Sequence, residues 1–167
     1  MQINTTDWKE FKIKNIFKVK RGKRLIEEDR EKGNLAYFSA SQENNGLTDK
    51  ISNPLFIEND ALIYSTFGDC YYVSGSFTAS DEISILKNNM LNYKNGLFLA
   101  TIINQNKYKY AYGRKAFQNK FIDETIKLPA KLNSNNEYEP DWEYMENFIE
   151  ELETRERERV KALLEMR

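Results

Sequence analysis

The sequence predicts an α+β fold: a compact mixed body with a twisted β-sheet and short helices, followed by one long C-terminal helix. Three observations point to it. Short alternating or aromatic-rich stretches recur through the first 132 residues, with turn residues between them. One apolar run rich in Leu and Ala interrupts them. Beyond residue 140 the apolar period becomes that of a helical seam. With 167 residues, 13% of them aromatic, and only 3 Pro and 7 Gly, the chain can bury a sizeable core.

The elements follow in order. Trp8 to Ile13 and Ile16 to Lys20 alternate, or nearly alternate, apolar with charged residues, as half-buried strands do. Gly22 breaks the pattern, and Arg24 to Glu31 is a charged stretch. Ala36 to Ser39 reads as a strand entering the polar loop Ser41 to Gly46, where Asn45-Gly46 marks a turn. Ala61 to Ser65 and Cys70 to Val73 form strands around a turn at Gly68, and Ile83 to Leu86 forms another. Leu97 to Asn104 is expected as a short buried helix. Tyr108 to Tyr112 alternates perfectly and is expected as a strand with its three tyrosines on one face. Ile126 to Pro129 is one more extended piece.

These readings divide the chain into a body at 1–132, a polar linker at 133–140 and a helix at 141–167. Pro140 and Asp141 give the helix-start signal. Trp142, Met145, Ile149 and Leu152 then fall at the a/d spacing of a coiled-coil seam, and the same register runs on through Glu156, Arg159, Leu163 and Met166. Two charged residues inside that seam suit an antiparallel pair of helices, each Glu meeting the partner's Arg. The tail is therefore expected to pack against another helix, with a homodimer as one outcome.

Charge is segregated along the chain. The net charge of −1 hides 20 basic against 15 acidic residues up to Leu132, or +5, and 5 against 11 from Asn133 onward, or −6. A basic body and an acidic tail suit two surfaces with two partners.

Residue absences narrow the chemistry. There is no histidine, which removes His-dependent triads, histidine general bases and ordinary His/Cys zinc sites. The lone Cys70 forms no internal disulfide and fits a reducing cytoplasm. Met1 to Asp7 has no signal-peptide pattern, and Leu97 to Ile103 is too short to span a bilayer, so a soluble, cytoplasmic protein is expected. Asn53-Pro54-Leu55-Phe56 lacks the second proline of an amino-methyltransferase motif. Gly22-Lys23 lacks the upstream glycine of a phosphate-binding loop. Glu10-Phe11-Lys12 has nuclease-like spacing but only Asp7 as an upstream acid. No catalytic group, metal site or cofactor is expected.

Basic clustering beside aromatics and small polar residues is what stands out. Lys18, Lys20, Arg21, Lys23 and Arg24 place five positive charges within seven residues, with Gly22 expected to let the backbone approach a phosphate. Tyr112, Arg114 and Lys115 form a second cluster. The loop offers Ser39, Ser41, Gln42, Asn44 and Asn45, side chains able to contact base edges. From the residues alone this is a candidate nucleic-acid binder, with a pure interaction module and a degenerate nuclease as rivals.

A resemblance extends the reading. Trp8 to Ile13, Ile16-Phe17 and Lys20 to Arg24 resemble an opening strand and glycine turn. Then come Tyr37 to Ser41 with Asn44-Asn45-Gly46, Ala61 to Ser65 with Gly68, and Phe77 to Asp81. The most specific piece is Leu97 to Ile103, then Lys107 to Tyr110, then Tyr112 to Lys115; Ile126 to Pro129 and Pro140 to Met145 form the exit. This ordered set, from about Trp8 to Leu152, resembles the target-recognition half of type I restriction–modification specificity subunits. It is similar also to recognition domains fused to single-chain restriction–methylation enzymes.

The resemblance implies a protein that binds double-stranded DNA without cutting or methylating it. Its partners would be methyltransferase subunits and a nuclease or translocase subunit. Lys20, Arg21, Lys23, Arg24, Arg114 and Lys115 would anchor phosphates beside Tyr112, and Ser41, Asn44 and Asn45 would read bases. Complete subunits of this family carry two recognition domains and two helices, whereas this chain carries one of each. The resemblance therefore implies either a half-length subunit that pairs with a copy of itself or a piece of a longer chain, such as a single-chain restriction–methylation enzyme. Self-pairing through the helix would then imply a palindromic, gapped target.

Overall fold

The computed structural model describes residues 4–166; residues 1–3 and Arg167, at the ends of the expected domains, lie outside the described residues. The elements run β1 (Lys9–Lys12), α1 (Ile13–Ile16), β2 (Lys18–Arg21), β3 (Lys32–Phe38), β4 (Leu47–Ile51), β5 (Glu58–Ser65), β6 (Cys70–Ala79), β7 (Ile83–Lys87) and α2 (Tyr93–Asn104). They continue with α3 (Gln118–Phe121), β8 (Thr125–Leu128), β9 (Ala130–Leu132), β10 (Tyr138–Pro140) and α4 (Trp142–Glu165). The α+β class with a terminal long helix is as the sequence predicts.

Six strands form one sheet in the order β2-β7-β5-β6-β3-β4. All neighbours are antiparallel except β3 and β6. A register shift between Asn59 and Ala61 bends the β5–β6 pair, as bulges do. The residues after edge strand β2 pass from β7 to β6: Gly22 N–H donates to Ile83 O at 2.9 Å and Lys23 N–H to Ala79 O at 3.0 Å. Ser80 N–H donates to Phe38 O at 2.8 Å, tying β3 to the same corner.

The two-residue period of β5 sorts its side chains between two cores. Ala61 and Ile63 join Phe38, Val73, Phe77, Ala79, Ile83 and Ile85 in one cluster. Leu62 and Tyr64 join Leu86 in the other, outer cluster, where Phe98, Leu99 and Ile103 of α2, Phe121, Leu128 and Met145 cover them. Each such fully buried large apolar side chain is worth about 1.5–3 kcal/mol.

Helix α2 begins four residues before the expected Leu97. Asn92 accepts from Asn95 N–H at 3.1 Å while the Asn95 side chain accepts from Asn92 N–H at 2.8 Å, a reciprocal cap built from two asparagines. Gly96 is required here, because a Cβ would sit 2.3 Å from the Tyr72 ring.

Several expectations change. Gly22 is buried, and a Cβ would lie 2.1 Å from Ser80 O, so its smallness serves chain packing inside the protein, not approach to a phosphate. Ile13 to Ile16 turn as one helical segment, so the second expected strand starts only at Lys18. Tyr108 to Tyr112 is not a strand. Lys107–Lys109 is a 3₁₀ turn, and Ala111 and Arg114 exchange backbone bonds across a tight turn. Tyr110 packs on the core while Tyr108 and Tyr112 stand in solvent, so alternation here reports a turn with one anchored tyrosine. Residues 133–140 form the turn and second strand of the β9–β10 hairpin, and Asp141 N–H donates to Pro129 O at 2.9 Å.

The expected seam of α4 divides. Met145 is 0% exposed and belongs to the body's outer core, with Trp142 and Ile149 packed against it. Phe148 meets Phe98 edge-on at 5.5 Å. Glu146 accepts from Asn92 Nδ2 at 2.7 Å, and Glu150 pairs with Lys94. Glu156 and Arg159 are already paired with each other along the helix, at 3.1 Å. Val160, Leu163 and Leu164 beyond them are bare. Among the described residues no helix is long and apolar enough to cross a membrane.

Candidate nucleic-acid interface

The contacts of the β6–β7 turn gather at one corner what the sequence spreads over ninety residues. The turn between β6 and β7, Ser80 to Glu82, is the hub. Arg21 Nε donates to Asp81 O at 2.6 Å and its guanidinium lies 3.9 Å from the Asp81 carboxylate. Lys115 reaches Glu82, the next residue, at 2.6 Å. Lys23 is bonded through its backbone to Ala79, and β3 delivers the Ser39–Gly46 loop beside Ser80. The two basic clusters and the polar loop thus share one end of the body.

Between the loop and the 107–115 segment lies an open cleft of about 590 Å³. Ala40 to Glu43 line one side, and Phe67, Lys107 and Tyr110 to Tyr112 the other. Tyr112 is 86% exposed. The Lys115 ammonium sits 5.4 Å from the Phe67 ring centre and 6.0 Å from that of Tyr112, within range of cation–π attraction to both. The hydrogen bond to Glu82 holds Lys115 protonated above its ordinary range, outweighing the opposing effect of desolvation.

Behind the cleft is a buried polar knot. Asp69 is buried, and Lys107 Nζ lies 2.5 Å from its carboxylate. Ser65 Oγ accepts from the N–H groups of Phe67 and Asp69, at 3.2 Å each, so the β5–β6 turn presents Phe67 in a fixed position. Thr66 Oγ1 is buried with no partner among the described residues. Burial, helped by Asp69, pushes the Cys70 thiol far above its usual range, so it is an inert packing group.

The sequence-predicted residues are not equivalent in this setting. Lys20 is drawn away from the corner: it lies 2.6 Å from Glu58 and 4.8 Å from the Phe56 ring. Arg21 is clamped to Asp81. Lys23, Arg24 and Arg114 are exposed and have no carboxylate within ion-pair distance among the described residues, which leaves their charge for an outside partner. Ser41 is half-buried and its hydroxyl accepts from Glu43 N–H at 3.1 Å, so it shapes the loop. Asn44 and Asn45 adopt left-handed backbone (φ 48° and 54°) and line a second depression of about 250 Å³ with Tyr71, Tyr72 and Ser74, apart from the cleft. Glu43, Phe67, Lys107 and Tyr110 line the cleft without having been expected as binding residues. Only the fold could bring them together, since each alone reads as an ordinary loop or strand-end residue. Among the described residues no group of three His, Cys, Asp or Glu is placed to hold a metal ion.

Comparison with known proteins agrees with this architecture. The model of the type I restriction modification DNA specificity domain matches residues 5–162. The specificity subunit S.BcgI of the type II restriction enzyme BgcI, from Heyndrickxia coagulans, is 31% identical over 160 residues, covering 89% of this chain and 44% of the relative. Among solved structures, the S subunit of a type I restriction–modification system from M. genitalium aligns with a TM-score of 0.62 at 14% identity, over 96% of this chain and 44% of that one. The HsdS subunit from Thermoanaerobacter tengcongensis aligns at 0.61 and 12% identity, over 99% and 41%. The chain spans less than half the length of these relatives.

Proposed function

We propose that this chain, a member of the type I restriction modification DNA specificity family, reads a duplex DNA sequence with the corner described above and brings methyltransferase subunits to that site. The observation that carries the proposal is the meeting at the β6–β7 turn of Lys23, held through its backbone, and Lys115, held through Glu82. Lys115 also lies over Phe67 and Tyr112, and Arg114 is bonded to Ala111, on the wall of the cleft that the polar loop completes. Lysine and arginine supply sequence-independent attraction to phosphates, and arginine can also bridge guanine O6 and N7. Loop side chains beside them supply the base contacts that phosphates cannot. The carboxylates of the hub, Asp81 and Glu82, each hold a cation, which suits the corner to binding. In this reading cutting and methylation belong to partner chains, including a nuclease or translocase subunit, and the protein works in the cytoplasm.

The distal half of α4 supplies the second surface. Val160, Leu163 and Leu164 form an apolar face flanked by Glu153, Glu156, Arg157 and Lys161, suited to a second helix of the same kind. Pairing with a copy of this chain would set two readers about a two-fold axis and require a palindromic, gapped target. Incubation with random duplexes at low salt tests the first part. The chain is expected to enrich one short motif, with affinity falling by a log–log salt slope of about −0.9 per neutralised phosphate. The double variant Lys23→Glu, Arg114→Glu should flatten that slope by about two such steps. Retention of no duplex at low salt would overturn the proposal.

A further inference from the structure

We propose that Glu43 is a specificity-determining residue: its carboxylate accepts a hydrogen bond from the exocyclic amino group of a base, N4 of cytosine or N6 of adenine. This rests on the reading that the cleft faces duplex DNA. The loop that carries Glu43 is held in one shape. Ser39 N–H donates to Gly46 O at 2.9 Å and closes it, and Glu43 N–H is held by Ser41 Oγ. Two successive left-handed asparagines follow, and then Gly46 at φ 85°, a backbone that side chains rarely adopt. Residue 43 is therefore presented at a fixed place on the cleft wall.

The carboxylate itself is uncommitted. Glu43 is exposed and, among the described residues, its side chain has no ion pair or hydrogen bond. The other acids of this corner are all engaged: Asp69 by Lys107, Asp81 by Arg21 and Glu82 by Lys115. A free carboxylate on a DNA-facing wall repels phosphates, and only a donor on the duplex can offset that. In the major groove the donors are the amino groups of cytosine and adenine, whereas thymine O4 and guanine O6 and N7 present acceptors that a carboxylate rejects. Lys107 cannot neutralise Glu43 from across the cleft while Asp69 holds it. The residue thus selects by attraction to one group and repulsion from the others, which a lysine-rich rim cannot do.

The native chain, Glu43→Ala and Glu43→Gln are each used for selection from random duplexes. Binding is then titrated against the selected duplex and against versions lacking the amino group, with uracil in place of cytosine or purine in place of adenine. The native chain should fix cytosine or adenine at one position. Glu43→Ala should lose that preference by about tenfold or more while binding unrelated duplex at least as tightly. Glu43→Gln, which adds a donor, should broaden the preference. Weakened native binding on the uracil duplex assigns cytosine, and on the purine duplex adenine; either supports the inference. A native motif that Glu43→Ala reproduces unchanged would overturn it and leave the DNA-reading function standing. Failure of the native chain to hold any duplex would remove the function, and this inference with it.

Discussion

The two halves of α4 share one sequence period and differ in almost everything else. From Trp142 to Ile149 the stripe packs on the body: Met145 is fully buried, Phe148 packs on Phe98, and Glu146 and Glu150 bind Asn92 and Lys94. From Glu153 onward the helix touches mostly itself. Arg157 pairs with Glu153 and Arg159 with Glu156, while Leu163 and Leu164 stay 65% and 66% exposed. An apolar period shows that a stripe will be covered, and says nothing about what covers it. Here one part is covered by the chain's own body, and the other is exposed.

Substitutions should separate the halves by the size of their effects. Met145→Ala should remove about 2–5 kcal/mol of stability, the usual cost of a cavity in a packed core, seen as a lower urea midpoint at unchanged slope. A smaller change is expected at Glu58, an ion-paired acid of the body. Its hydrogen bond with Lys20 holds its carboxyl below the ordinary range against the opposing effect of burial, with Lys87 adding to the pull. A depressed folded-state pKa stabilises above the unfolded value of about 4.3 and is lost as pH falls through the folded one. Acidification below about pH 4.3 should therefore weaken the native chain more than Glu58→Gln, by about 1 kcal/mol or less given the solvent around Lys20. Urea titrations across pH measure this.

The smallest effect on the body should come from the tip. Leu163→Lys with Leu164→Lys should leave the unfolding free energy within about 0.5 kcal/mol at dilutions where the chain is monomeric. The same pair should abolish self-association in sedimentation. A large loss of monomer stability would erase the distinction between the halves.

Much of this was legible in the residues, and the failures have physical causes. The strands of β5, β6 and β7 and the start of α4 followed from alternation and from Pro140-Asp141, because local pattern and tertiary burial agree there. The early start of α2 was missed, because its cap uses Asn95 where a Glu or Gln is the usual signal. Gly22 was misread because a glycine spared for a ligand and one spared for a neighbouring strand look alike in one dimension. The basic cluster at 18–24 lost Lys20 to Glu58, which lies 38 positions away in sequence. The loop's place beside the cleft fits its composition, but which of its residues face that cleft was not legible: two left-handed asparagines set Asn44 and Asn45 beside Tyr71 and leave Glu43 in the cleft. The backbone angles decide that, and composition does not carry them.

Backbone hydrogen exchange, with and without a saturating selected duplex, would probe both surfaces in one experiment. Added DNA should slow exchange in residues 39–46 and 107–115 and leave 153–164 unchanged. Protection confined to the helix tip, with the cleft exchanging as freely as before, would contradict DNA reading by this corner of the body.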